Sequence, residues 1–184
     1  METNKIKYDS KGFTLVEVMC VLILLGLIVT MVCTHFNSSA MIANSAADDL
    51  VSSVSLIQSA YNSYNQDKGM PPAADGTGNA LGNSAFVPVY LFIPRPAYGF
   101  DGTYGVTGYF LGYQTGQASP NNGSYICARA NVTGNDPTFQ TIVKASTILS
   151  ANKFFYNTSC PATTNMATPA GATQVLVTEW ITRT

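Results

Sequence analysis

The sequence predicts an α+β fold: one long N-terminal helix, its apolar half protruding, packed on a small antiparallel β-sheet head. Three observations carry the prediction. An uncharged apolar run, Val18 to Val32, passes without a break into a stretch where Leu50, Val54, Ile57 and Tyr61 recur at three- and four-residue steps. A glycine followed by two prolines, in Lys68-Gly69-Met70-Pro71-Pro72, then stops the helical pattern. Beyond it lie several short segments rich in β-formers, separated by Gly, Asn and Pro. A helix followed by a run of strands implies an antiparallel sheet that buries one face on the helix. No internal repeat is present.

The long helix is expected from Phe13 to about Tyr64. Its first half, residues 13–35, is apolar all round, as suits a membrane or filament-core helix. Its second half, within 36–68, is amphipathic, with Asp48 and Asp49 on or near the polar side. Gly26 lies inside the apolar half, where glycine costs about 1 kcal/mol. It serves either close packing of small residues between helices or helix flexibility. The head is expected over 69–184. Asp75–Asn83 reads as a surface loop. Phe86–Ile93 is interrupted by Pro88 and is at best an edge strand. Thr103–Tyr113, Ser124–Val132 and Phe154–Thr158 are strand candidates, and Gln174–Ile181 is a closing strand. Asp136–Ser150 has apolar residues that suit a short helix.

Composition narrows the function. Only 10 % of the 184 residues are charged, against roughly 25 % in ordinary soluble domains. Polar character comes from Asn, Thr, Ser, Gly and Tyr, which suits work outside the cytosol. The net charge is −1, so no basic patch argues for specific nucleic acid. His35 is the only histidine and has no Cys or carboxylate at ligand spacing. Asp75-Gly-Thr-Gly-Asn79 and Asp101-Gly-Thr offer oxygen ligands for calcium, but Asp and Gly are ordinary turn residues and the turn reading is preferred. No nucleophile elbow, phosphate loop or paired-cysteine zinc motif is present. Neither an enzyme nor a cofactor or metal is expected.

The N-terminus is the most informative segment. Lys5, Lys7 and Lys11 stand against Glu2 and Asp9 in a polar leader that ends at Gly12. Glu17 follows five residues later, at the start of the apolar run. A lone carboxylate in a bilayer-length segment is costly and reads as functional by default. A secretory signal explains the lysines, but no small-x-small site follows the apolar run. A plain anchor explains the length, since Phe13 to Val32 is 20 residues. It does not explain Glu17 or the Gly12-Phe13 junction.

Gly12-Phe13-Thr14-Leu15-Val16-Glu17-Val18 resembles the N-terminal signature of type IV pilins and pseudopilins. The resemblance covers roughly residues 8–60. It implies a pilin-like fold, removal of leader 1–12 by a prepilin peptidase, and methylation of the new Phe13 amine by the same enzyme. It also implies assembly through Phe13 and Glu17. Each is an uncomfortable lone charge in a low-dielectric setting, and pairing across two subunits neutralises both. Many pilins of this kind carry a proline further along the helix, where this chain has Thr34, so where the helix melts in a filament stays open.

The resemblance extends to the cysteines. Many type IV pilins staple a C-terminal loop, and Cys127 and Cys160 enclose 32 residues that an exported chain would oxidise. Two free buried thiols are the alternative. Cys20 and Cys33, 13 residues apart in or beside the apolar run, read as small apolar fillers.

The expected function is therefore that of a type IV pilus subunit serving adhesion, motility or DNA uptake. The expected partners are copies of itself, minor pilins, the peptidase, an inner-membrane platform and an assembly ATPase. The precursor is expected in the bacterial inner membrane and the product in an extracellular pilus, or in a periplasmic filament for a pseudopilin of a type II secretion machine. A minor pilin and, more remotely, a membrane-anchored binding module are the rival readings.

Overall fold

The computed structural model describes residues 14–35, 38–134 and 136–184. In chain order the elements are α1 (Leu15–His35), α2 (Ser38–Lys68), a short 3-10 turn (Ala80–Gly82), β1 (Tyr109–Gln114), β2 (Gly123–Thr133), α3 (Pro137–Ile148), β3 (Phe154–Asn157) and β4 (Ala172–Trp180). Helix is therefore found on both sides of residues 36 and 37, which lie outside the described residues. Residues 38–184 form one unit and α1 belongs to another.

Helix α2 follows its apolar stripe. Ala47, Leu50, Val54, Ile57, Tyr61 and Tyr64 are all buried, while Asp48 and Asp49 face solvent. The helix stops at Lys68 because Gly69 adopts φ +68°, and its N–H closes on Asn65 O at 2.8 Å.

The strands pair antiparallel in the order β1-β2-β4-β3. Side chains alternate between two apolar faces, as the two-residue period of a strand requires. The inner face carries Leu111, Ile126, Ala128, Ala130, Val132, Val175, Val177 and Phe154, clustered with the buried stripe of α2 and with Phe139, Ile142 and Ala145 of α3. Tyr61 reaches from α2 to the sheet, its hydroxyl 2.7 Å from Ser124 Oγ. The outer face carries Tyr125, Cys127, Phe155 and Trp180, with Phe110 and Tyr104 against them. Helix α3 starts where Asp136 caps it, accepting from Phe139 N at 2.7 Å, with a proline in its first turn.

Two strand expectations fail. Phe86–Ile93 forms turns and irregular chain instead of an edge strand. Pro88 has no N–H to give a ladder, and Phe86 and Tyr90 both turn back to pack edge-on against Tyr64, at 5.5 and 5.0 Å between ring centroids. Thr103–Tyr113 is strand only from Tyr109 onward. Gly105 and Gly108 take φ +58° and +95°, which folds residues 103–108 into turns. The exposed edge of β1 is partly covered: buried Asn79 accepts from Leu111 N at 2.9 Å and donates to Tyr109 O at 3.3 Å. Covering a sheet edge with a loop is a usual device against stray strand pairing.

Candidate functional site

Glu17 sits in the first turn of α1. Its Oε2 accepts from Thr14 N at 2.8 Å and from Thr14 Oγ1 at 3.0 Å. In return Glu17 N donates to Thr14 Oγ1 at 3.3 Å. This is a reciprocal capping box: a threonine before the helix and a glutamate three residues on satisfy each other's orphan backbone donors. The box explains why α1 begins at Leu15; Phe13, where the helix is expected to start, lies outside the described residues. Thr14 was not among the expected site residues, although Thr14-Leu-Val-Glu17 is the sequence signature of such a box.

The box also solves a solvation problem. A carboxylate at the edge of an apolar span lacks water to accept from. Here the chain's own N–H and hydroxyl supply that role on one oxygen. The other oxygen, Oε1, has no hydrogen-bond partner among the described residues. Gly12 and Phe13 lie outside the described residues, so the cleavage junction itself has no described geometry.

From Val18 to Val32, α1 presents its large apolar side chains to the surroundings on every side. Leu15–Cys33 is long and apolar enough to cross a membrane. Its 19 residues correspond to about 28 Å, close to a hydrocarbon core. Gly26 has nothing near the position a Cβ would take. Among the described residues, then, no packing demands glycine there. Cys20 and Cys33 are free and exposed on this helix.

In the head, Cys127 of β2 and Cys160 are joined in a disulfide, their Cα atoms 6.4 Å apart. Cys127 pairs in register with Thr178 of β4, which pairs with Phe155 of β3, so all three lie on the outer face. The loop carrying Cys160 is pinned over that face. Ala162 N donates to Thr178 Oγ1 at 2.8 Å and Trp180 Nε1 to Ala162 O at 2.9 Å. The staple therefore closes a lid over the Tyr125–Trp180 aromatic cluster, and α3 lies within the stapled segment.

The two acidic turns behave as turns. Asp75 Oδ1 accepts from Thr77 Oγ1, Thr77 N and Asn79 N. Asp101 Oδ1 accepts from Thr103 Oγ1 and N, and its Oδ2 meets Arg129 Nη2 at 2.6 Å. The Thr103 hydroxyl and N–H, then the guanidinium, hold the Asp101 carboxyl down at about 2. Among the described residues no group of three or more His, Cys, Asp and Glu gathers to hold a metal.

Sequence reasoning missed one ionisable residue of the head. Glu179 is buried on the inner face, in register with Ile126 and Phe154. Its Oε2 has no partner among the described residues. Burial raises the carboxyl to about 7, with Lys153 pulling weakly the other way. Strand alternation around Val175 and Val177 marks position 179 as inward-facing.

Residues 7–32 match the prokaryotic N-terminal methylation motif, the prepilin-type cleavage and methylation motif of type IV pilins. The chain carries the prepilin motif. The motif supports a type IV pilin or pseudopilin family member and points to a structural subunit. Comparison with curated proteins gives no match. The matched span contains Gly12, Phe13, Glu17 and Gly26, together with Thr14 of the capping box. A prepilin motif implies processing by a prepilin peptidase and assembly into pili. With the apolar α1 it fits a membrane-anchored precursor.

Proposed function

We propose that this prepilin-type chain is the structural subunit of a type IV pilus, cut after Gly12 and assembled as Phe13–Thr184. The observation that carries the reading is Glu17, the one ionised side chain in an otherwise uncharged span, parked on its own capping box. Its remaining oxygen is the acceptor for the cationic Phe13 amine of a neighbouring subunit. A mispaired register strands two charges in a low-dielectric setting, so the pairing sets axial position as well as affinity. The bundled apolar helices then form the filament core, and the heads its surface. Copies of the chain, minor pilins, an inner-membrane platform and an assembly ATPase are the partners. The stapled C-terminal segment favours an extracellular pilus over a periplasmic pseudopilus, and adhesion, motility or DNA uptake is the role.

The test is intact-protein mass spectrometry of sheared cell-surface material. Wild type is expected there as a chain beginning at methylated Phe13 and lacking two hydrogens for one disulfide. Glu17→Ala is expected to be processed in the membrane but absent from the sheared fraction. A normal yield of filament from Glu17→Ala refutes its role. Processed wild type confined to the inner membrane supports a pseudopilin instead.

A further inference from the structure

Charge is scarce in the head, and most of its acidic groups are matched inside the chain. Asp67 pairs with Lys68 at 3.0 Å and Asp101 with Arg129 at 2.6 Å. Asp75 is folded into its own turn, Asp136 caps α3 and Glu179 is buried. Asp48 and Asp49 of α2 are the acidic side chains left over. Both are exposed, and among the described residues neither has an ion pair or a hydrogen bond.

Two cations are left over together. Lys153 and Arg183, with Pro120 and Asn152, line an open hollow of about 290 Å³. Arg183 is already held in place: Nε donates to Pro120 O at 3.0 Å, Nη1 to Asn152 O at 2.6 Å and Nη2 to Asn121 Oδ1 at 3.3 Å. Its guanidinium lies 4.7 Å from the centre of the Phe155 ring. Lys153 Nζ donates to Ile181 O at 3.3 Å. All these acceptors are neutral, and each cation keeps N–H donors to spare. Neither buried Glu179 nor the Thr184 carboxylate forms an ion pair with them. A guanidinium fixed beforehand loses little further freedom on meeting a carboxylate. Arg95 and Lys144, the remaining unpaired cations of the head, each stand in a hollow with no second cation, and Arg95 shares its hollow with Asp49 of its own chain.

The acidic pair and the cationic hollow lie at opposite ends of the head. Ser53 meets the Tyr109 hydroxyl, and Tyr109 pairs with Ala128 of β2. Tyr61 meets Ser124. Helix α2 therefore runs along β2 towards the start of that strand. Asp48 precedes Tyr61 by 13 residues, about 20 Å of helix. The hollow lies at the Tyr61 end, since Ile181 N donates to Ser124 O at 2.9 Å and Arg183 reaches Pro120 and Asn121 just before β2. The two sets cannot meet within one chain. Between copies they make a heterologous, head-to-tail contact that repeats along a filament.

We propose that Asp48, with Asp49 beside it, docks in the Lys153–Arg183 hollow of a second copy. This rests on the filament reading above and adds a contact between heads to the Glu17 pairing between helices. Complementary charge of this kind fixes register and suppresses wrong partners more than it adds raw affinity.

Two measurements on the full chain test it. Asp48→Lys is expected to melt as wild type does, because the side chain is exposed. Asp48→Lys and Lys153→Glu are each expected to lower sheared filament about fivefold or more at equal levels of processed membrane subunit, and the double variant to restore it. Undiminished yield from Asp48→Lys overturns the contact, as does failure to recover in a double variant that melts normally. In the second, a chain with Asp48→Cys, Lys153→Cys, Cys20→Ser and Cys33→Ser is produced together with its Cys20→Ser, Cys33→Ser parent, and the sheared filaments are oxidised. Peptides disulfide-linked between positions 48 and 153 support the contact, because a disulfide needs Cα atoms within about 7 Å and one chain holds the two positions too far apart. Filaments that contain the variant without that link overturn it. Wild type that yields no filament refutes the filament reading and this contact with it, whereas wild-type filament with full yield from Asp48→Lys refutes the contact alone.

Discussion

Glu179 makes the sharpest quantitative prediction. It is 4 % exposed and lies in the inner-face row Leu111, Ile126, Glu179, Phe154, with no hydrogen-bond partner for Oε2 among the described residues. The ionised form is penalised by lost hydration that only Lys153 offsets. The carboxyl therefore rises from 4.5 to about 7 on folding. The folded state holds its proton more tightly than the unfolded state, so the stabilising effect of protonation is complete below 4.5 and is lost as pH rises to 7. A shift of this size corresponds to about 3 kcal/mol, or roughly 10 °C in melting temperature for a domain of this size. Glu179→Gln keeps the shape and removes the charge. Melting of the full chain in detergent between pH 4.5 and 8, for both proteins, is the assay. The difference curve cancels every other titrating group. Equal melting is expected at the acid end, with the variant about 10 °C higher at pH 8. A difference curve that is flat across the range refutes the argument that burial holds this carboxyl in its protonated form.

Two further outcomes follow from the head. Replacing Cys127 and Cys160 together by Ser frees a 32-residue loop and is expected to cost about 3–4 kcal/mol, read as a lower urea midpoint. Asp101→Asn acts in the acid range: the wild-type carboxyl is held at about 2 against an ordinary 3.8, so its stabilising effect is present above 3.8 and lost as pH falls to 2. The variant is expected to melt below wild type at pH 5 and to converge with it near pH 2.

Local signals carried much of the architecture. The apolar run, the three- and four-residue steps through Leu50 and Tyr61, the Gly69–Pro72 stop and the alternation in residues 124–132 and 174–181 are all properties of neighbouring residues, so they read directly as α1, α2, β2 and β4. Glu17 stood out for the same reason: a charge inside an uncharged run is visible without any fold. Thr14 was equally local, but its meaning appears only when the helix start is known to fall at Leu15.

What tertiary structure decided depends on residues far apart in the chain. Phe86–Ile93 gives up strand structure because Tyr64, more than twenty positions earlier, offers rings to pack on. Asn79 covers the edge of β1 only once residues 79 and 111 meet. Glu179 looks like an ordinary strand-end carboxylate until the register across β2 and β3 puts it between Ile126 and Phe154. Phe92 is indistinguishable in sequence from a core residue, and its exposure follows from Leu91 and Ala97 taking the buried places on either side. Sequence by itself determined the membrane-length helix, its single carboxylate and the processing motif, because each is written in contiguous residues. Only the folded head decided which polar groups lose water and which apolar ones keep it, because solvation depends on every element that packs around a side chain.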